Sequence, residues 1–453
     1  MVLPVLVRFC HTHLIIAPKT HGPQVNLIQY QKHLAKIFML KKIKNLLYFP
    51  LAAYFKFWAQ IKLNRWQPKV IVITGSNGKT FLLHLLQSQI GNRAYYTHNA
   101  NSSFGLSFSI LGLHRSSFSL AEWPIFFLLS PFLAFGKPPS EKILVAEADC
   151  DRSKEGEFLS GLLKPDITLW QNVSLAHSEK FPGSPERILE RIAYEYGWFI
   201  ERTKFLAVVN SDSPEIAQQL ARTKAQTIKI NKKDLKKYEA SLTGTAFVIG
   251  RNNYYLPFVL PEESFSALEM TRVVLDHLHL PFTTVFSRLT MAPGRSSLFK
   301  GIKKTMLLDS TYNNNLASCT SMLNMVNKLK QPTWLIIGDL LELGETEKNE
   351  HQKLAHILKT INYEKLILVG RRTAAYTFPI LKGKEKNKII SFIKAKDALE
   401  YLKKELQEQK LLLIKGGGFL EKMVEELLQN KTDAKFLCRR EAIWQKRREK
   451  FYS

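Results

Sequence analysis

The chain has 453 residues, 45% of them apolar, which is long and hydrophobic enough for two or three globular domains and excludes a disordered or fibrous protein. A formal net charge of +26 points to anionic partners (nucleotides, nucleic acid or a membrane surface), and the absence of any acidic residue before Glu122 concentrates that tendency near the start. Cys10, Cys150, Cys319 and Cys438 form no C-x-x-C pair, so neither a zinc site nor a disulfide framework is expected and a reducing, cytosolic interior is the simpler setting.

In chain order, Met1–Ala17 is apolar but broken by Arg8, His11 and His13, which makes a poor signal peptide. No apolar run reaches the roughly 18–20 residues that cross a bilayer. From Ile28 to Trp66, apolar and aromatic residues such as Tyr30, Leu34, Phe38, Phe55 and Trp58 alternate with Lys32, Lys36, Lys41, Lys42, Lys44, Lys56 and Lys62. Pro50 is expected to divide this stretch into two helices. Basic amphipathic helices with aromatics suit an anionic membrane surface; equally, they can pack on the next domain and expose their lysines.

Val70–Ile73 reads as a strand entering a glycine-bearing turn, Thr74-Gly-Ser-Asn-Gly-Lys-Thr80, then a helix from about Thr80 to Gln89. Gly75 and Gly78 allow a tight bend whose N–H groups, with Ser76 and Asn77, can face an anion at a helix N-terminus. Lys79 would reach the outer phosphates and the Thr80 hydroxyl would ligate Mg²⁺, although the first glycine of the usual G-x-x-x-x-G-K-[ST] pattern is absent. Leu120–Phe135 is a second aromatic run, read as a buried helix or hairpin or as a segment dipping into a membrane interface. Ile143–Asp149 is a buried strand ending in carboxylates, where ligands bind in α/β sheets, so Glu147 is a metal-ligand candidate. Pro165–Val173 is another strand leading to His177, and Phe205–Asp212 a third.

The strand–helix pattern restarts near residue 291, after which Thr305–Leu308, Thr333–Asp339, Lys365–Val369 and Leu411–Ile414 read as strands. The fold expected is α/β: a basic amphipathic helical segment over 1–66, a P-loop ATPase domain with a mostly parallel sheet over 67–290, and a Rossmann-like domain over 291–435. Pro293-Gly294 is a candidate hinge. Residues 436–453 read as a basic, solvated terminal helix.

These landmarks resemble the Mur ligases, and among them the D-alanyl-D-alanine-adding type. Thr74–Thr80 is similar to the family's T-G-T/S-N-G-K-T loop, and Asn99-Ala-Asn101 with Gly105 to N-x-N-N-x-x-G. Asn172–His177 with Glu179 and Phe181 resembles N-I-x-x-A-H-x-E-x-F. Gly294-Arg295, Asp309–Asn315, Gly338–Glu345 with His351, and Lys415-Gly416 follow in the family's order. The similarity covers about residues 67–430.

The resemblance implies an ATP- and Mg²⁺-dependent amide (peptide) ligase of peptidoglycan precursor synthesis, working through an acyl phosphate. It implies that Lys79 holds the β/γ-phosphates, that Thr80 and Glu147 hold Mg²⁺, and that His177 ligates or positions a second Mg²⁺. Arg295 would meet the nucleotide across the hinge, Asp309 would bind the ribose, and Asn313 and Asn315 would line the same face. Partners implied are a small-molecule or lipid-linked cell-wall precursor and an amine such as D-Ala-D-Ala, in a cytoplasmic protein that touches the inner membrane face through residues 28–66; no nucleic-acid motif is present.

The sequence departs from the family pattern in several places. The helix at Pro185–Tyr196 has no lysine to be carbamylated, leaving Glu190 or Glu195 as substitutes. Ser266 stands for an asparagine, Leu316 for a proline, and Gly416–Gly418 for a G-S-R-G turn. Residues 1–66 are too short and too helical to stand for the family's UDP-binding domain. A MurT-like or folylpolyglutamate-synthase-like amide-forming enzyme, or a nucleotide-binding module without ligase activity, are the alternatives.

Overall fold

The computed structural model describes residues 27–98, 100–115, 121–383 and 388–452, with side chains from residue 45 onward. The readings of Met1–Ala17, Cys10, Asn99 and the side chains from Tyr30 to Lys44 lie outside the described residues. The chain divides into two compact units, Met1–Tyr54 and Phe55–Ser453.

The described part of the first unit is helical and belongs to α1 (Leu27–Trp66), which continues through Pro50. The expected division at Pro50 does not occur. A proline inside a helix removes one N–H and crowds the carbonyl a turn earlier. Regular helix on both sides adds one hydrogen bond per residue fixed and carries the backbone across. Nor is the helix amphipathic along its length: Leu46 is 75% exposed whereas Lys62, in the second unit, is 8% exposed.

The second unit opens with the last turns of α1, followed by β1 (Lys69–Thr74), α2 (Lys79–Ile90), β2 (Ala94–Tyr96), α3 (Ser103–Leu111) and α4 (Glu122–Phe135). Next come β3 (Ile143–Glu147), α5 (Glu155–Leu163), β4 (Ile167–Trp170), α6 (Pro185–Glu201), β5 (Leu206–Asn210), α7 (Pro214–Gln219) and β6 (Gln226–Ile230). Their strands form one parallel sheet in the order β2-β3-β1-β4-β5-β6. Buried strands of continuous Val, Ile and Leu are what a sheet covered on both faces requires. Because β1 lies between β3 and β4, the chain reverses direction of travel across the sheet at β1, and a crevice opens at the C-terminal ends of these three strands.

A small antiparallel meander, β7 (Leu235–Ser241), β8 (Gly244–Ile249) and β9 (Asn252–Leu256), comes before α8 (Ser264–His277). Ile71, Leu82, Val145, Leu169, Phe247 and Leu268 share one buried cluster that ties α2 and α8 to the first sheet.

The last part contains β10 (Ser297–Lys300), β11 (Met306–Ser310), α9 (Leu316–Lys328), β12 (Thr333–Gly338), α10 (Glu347–Leu358) and β13 (Lys365–Val369). It continues with α11 (Phe378–Leu381), β14 (Ile389–Phe392), α12 (Ala395–Glu405), β15 (Leu411–Lys415), α13 (Glu421–Leu427) and α14 (Ala442–Tyr452). The sheet order is β10-β11-β15-β12-β13-β14, parallel except for the antiparallel edge strand β10. The second sheet is therefore mixed rather than wholly parallel. The terminal segment forms the expected basic helix, with Lys446, Arg447 and Lys450 exposed, but one side is anchored: Leu437, Cys438, Arg448 and Tyr452 are buried. Arg448 and Arg440 pair with Glu425 of α13, and Phe451 and Trp444 pack on Phe419.

Candidate active site

The loop from β1 to α2 sits in the crevice. Gly75 has φ +122°, and a Cβ there would lie 2.9 Å from the backbone N and O of Asn172, so only glycine fits. Gly78, at φ +83°, is the N-cap of α2 and supplies no side chain, leaving the helix's first N–H groups facing the crevice. The stretch after β4 braces the loop. The Asn77 N–H donates to Asn172 Oδ1 (2.9 Å), Asn172 Nδ2 donates to Asn77 O (3.0 Å), and the Ser174 N–H donates to Ser76 Oγ (2.9 Å).

Lys79 is buried and donates to the carbonyl of Gly75 while pairing with Asp149 at 2.8 Å. Thr80 Oγ1 donates to Glu147 Oε2 at 3.0 Å, and the Glu147 backbone N–H is held by Thr97 Oγ1 at 3.1 Å. A hydroxyl beside a carboxylate is an oxygen donor set that fits Mg²⁺, which keeps its remaining positions for water and phosphate.

Asp149 was not singled out in the sequence, yet it is central: it faces Lys79, lies 3.8 Å from His177 Nε2, and accepts a 2.7 Å bond from the Tyr196 hydroxyl. Burial alone would raise its pKa; Lys79, His177 and Tyr196 together hold it below the ordinary carboxylate value. Its position two residues beyond Glu147 at the same strand end was the available signal.

His177 has φ +60° and begins a short turn, Ser178–Lys180, that meets the loop after β12. Its Nδ1 pairs with Glu342, the Glu179 N–H donates to Glu342 O (3.0 Å), and Ser178 Oγ donates to Leu343 O (3.0 Å). Burial disfavours the imidazolium, but Glu342, Asp149 and Asp151 outweigh it and push the His177 pKa up to about 9. The ring thus has Nδ1 on Glu342 and Nε2 3.8 Å from Asp149, next to the residues that fit Mg²⁺.

From the other side, Asn315 caps α9 and its Nδ2 donates to Asn77 Oδ1 at 2.8 Å, joining the second sheet's layer to the phosphate loop. Asn313 and Asn314 instead serve their own loop. Asn313 Oδ1 accepts from the Asn314 N–H, its carbonyl accepts from Lys415, and Asn314 Nδ2 donates to Gly338 O at 2.9 Å. Arg295 stacks on Tyr312 with 4.3 Å to the ring centroid, and its charge contributes to lowering the pKa of His84 on α2, after burial and His98. Asp309 is fully buried; its Oδ1 accepts from the Thr311 N–H and Oγ1 (3.0 and 2.6 Å), and its Oδ2 has no partner among the described residues. Burial pushes its pKa up to about 6. Asp309 lies on β11 with its carboxyl enclosed, so a ribose contact to it requires the groups that cover it to move.

Neither proposed substitute for the absent lysine reaches the crevice. Glu190 is exposed on α6, and both oxygens of Glu195 accept backbone N–H bonds at the start of α5, from Lys154 (2.6 Å) and Gly156 (2.9 Å). Ser266 at the start of α8 donates to Gln171 Oε1 at 2.9 Å, next to the phosphate loop. His351 is a structural residue: its Nε2 accepts the Leu340 N–H at 3.1 Å and its Nδ1–H serves Glu347 O at 2.8 Å.

Residues 73–254 match the family model of the Mur ligase middle domain, and residues 294–418 match that of the Mur ligase glutamate ligase domain. The chain belongs to the Mur ligase family. The UDP-N-acetylmuramoyl-tripeptide–D-alanyl-D-alanine ligase of Buchnera aphidicola subsp. Acyrthosiphon pisum is 24% identical over 383 residues, covering 80% of this chain and 77% of that protein. The crystal structure of MurF from Acinetobacter baumannii superposes with a TM-score of 0.68 at 19% identity, covering 84% of this chain and 81% of that one. MurF from Thermotoga maritima in complex with ADP gives 0.66 at 21% identity, covering 85% and 84%. The two-sheet architecture is thus that of Mur ligases, and the crevice at β1, β3 and β4 belongs to the matched middle domain.

Proposed function

We propose that this Mur ligase is an ATP-dependent enzyme that joins an amine such as D-alanyl-D-alanine to a peptide carboxylate of a cell-wall precursor. The observation that carries the reading is the juxtaposition of Lys79, Thr80, Glu147 and Asp149 on a helix N-terminus, with Asn315 and Glu342 reaching it from the other sheet's layer. In this reading a carboxylate oxygen of the precursor attacks the γ-phosphorus of ATP and the bond to ADP breaks. The amine nitrogen then attacks the acyl carbon, phosphate leaves with the carboxylate oxygen, and the amine's protons pass to solvent.

The protein's share of the work is positioning and charge neutralisation. The loop N–H groups and Lys79 bind the phosphates. Lys79 exchanges its bonds to Gly75 and Asp149 for phosphate oxygens as the nucleotide enters. Thr80 and Glu147 hold Mg²⁺, which neutralises charge on the phosphate oxygens when bound. His177, as an imidazolium, supplies a fixed positive charge near the site of attack. Arg295 reaches the nucleotide from beyond the hinge at Pro293-Gly294, between working domains over 67–290 and 291–435. Contact between the two layers excludes water from the acyl phosphate.

A folylpolyglutamate-synthase-like substrate and a module without turnover are tested by the same experiment. Phosphate release is measured with a panel of peptide carboxylates and amines, and products are weighed by mass spectrometry. Release that depends on D-Ala-D-Ala and yields the amide supports the proposal; nucleotide binding without release for every pair overturns it. We place the enzyme in the cytoplasm at the inner membrane face, acting on a soluble or lipid-linked precursor.

A further inference from the structure

Apart from Glu122 and Ser130, helix α4 is apolar all round. One face packs inward: Phe126, Ser130 and Ala134 are buried, Phe126 meets Phe108 of α3 at 5.2 Å between ring centroids, and Phe127 meets Phe55 at 4.9 Å. The opposite face carries Ile125, Leu128, Leu129, Phe132 and Phe135, which are 42–75% exposed. Their spacing of three and four residues puts them on one stripe. Trp58 extends it, with its ring 6.4 Å from Phe135, and Phe57 next in sequence is 56% exposed. The exposed apolar area is roughly 600 Å², at the upper end of what single-chain water-soluble proteins leave uncovered.

The rim is basic. Arg65 lies 5.9 Å over the Phe135 ring and donates to the carbonyls of Ala134 and Gly136, while Lys137 and Lys142 are exposed beyond the helix. Of the nearby acids, Glu122 pairs with Arg115 at 3.7 Å and Glu141 accepts from Ser140. Fourteen Lys and Arg precede the first acidic residue in the chain. At 14 residues α4 is about 21 Å long, short of the roughly 30 Å hydrocarbon core, and among the described residues no helix is long and apolar enough to cross a membrane.

We propose that α4 is an interfacial helix that seats this protein on an anionic bilayer surface, with Leu128 and Phe132 entering the acyl boundary and Lys137 and Lys142 meeting lipid phosphates. An apolar stripe with a basic rim and too little length to span is the pattern of a helix lying in the headgroup plane. This adds α4 to the contact expected of residues 28–66, of which Phe57 and Trp58 join the stripe while Lys56 and Lys62 are occupied by backbone carbonyls. It does not depend on the ligase reaction, so either can fail alone.

The test uses the full chain and sedimented vesicles of phosphatidylglycerol mixed with phosphatidylcholine, against phosphatidylcholine alone. The protein is expected to sediment with the anionic vesicles, less so in high salt and least with the neutral ones. The Leu128→Glu/Phe132→Glu variant is expected to bind at least about tenfold more weakly, with unchanged melting temperature and unchanged phosphate release in solution. Protein that stays in the supernatant with anionic vesicles overturns the proposal, as does a double variant that binds as well as the parent. A dimer in light scattering that this variant converts to monomer would assign the stripe to a second copy and overturn it as well.

Discussion

Replacing Lys79 by alanine tests two roles of one residue. The ammonium lies 2.8 Å from Asp149 in a site where both side chains are at most 7% exposed. At an effective dielectric of about 20 that attraction is about 6 kcal/mol before desolvation is counted. Removing one partner of such a buried pair costs about 3–5 kcal/mol, because the remaining charge is left uncompensated. Tyr196 and His177 still face Asp149, which favours the lower end of that range. For a chain of 453 residues melting as one unit, the loss corresponds to a fall in Tm of about 3–5 °C. Lys79→Ala should therefore abolish phosphate release and also melt earlier. Lys79→Ala/Asp149→Asn should recover most of the Tm while phosphate release stays absent. Calorimetry and a phosphate assay on the three proteins decide it. A single variant as stable as the parent would refute the pairing argument, and retained turnover would refute the assignment of Lys79 to the phosphates.

Glu147→Gln should raise the Mg²⁺ concentration for half-maximal phosphate release about tenfold, and an unchanged titration would remove Glu147 from the metal site. Glu342→Gln should lower the His177 pKa from about 9 by at least about one unit, read from the imidazole proton resonance against pH; a pKa still near 9 would mean that Asp149 and Asp151 suffice. Asp309 has a folded pKa of about 6 against 3.8 unfolded, so its folded form holds the proton more tightly and its charge destabilises the fold as pH rises from about 4 to about 6. Asp309→Asn should accordingly be about 1–3 kcal/mol more stable than the parent at pH 7, with the gain gone below pH 4; denaturant midpoints equally spaced at both pH values would contradict it.

Much of the phosphate-loop side was legible because its constraints are local. Gly75 and Gly78 are written by backbone geometry, and Lys79-Thr80 by the spacing that a helix N-terminus imposes. Asp149, Tyr196 and Glu342 were harder, since their importance comes from contacts across 47 to 165 positions that no local pattern encodes. Proline's local cost at Pro50 points to a break, whereas the helix on either side of it carries the backbone through. The anchoring of Arg439 and Arg448 has a related origin: a run of Arg and Lys reads as solvated, and only the fold places Glu421 and Glu425 beneath two of its members. Asp309 illustrates the opposite limit, since its family motif names the residue but says nothing of its burial on β11.

The end of α1 has a practical bearing on how this protein can be shortened. Lys62 and Arg65 hold carbonyls at the C-terminal ends of α3 and α4 (Leu111 and Ala134), Lys56 holds the Phe158 carbonyl in the first half of α5, and Phe55, Ala59, Leu63 and Trp66 fill the core between them. A fragment cut at Lys69, the start of β1, would lose three helix clamps and four core side chains together. One cut ahead of Phe55 keeps them, so the smallest fragment that folds is set by this buttress rather than by the first strand of the nucleotide site.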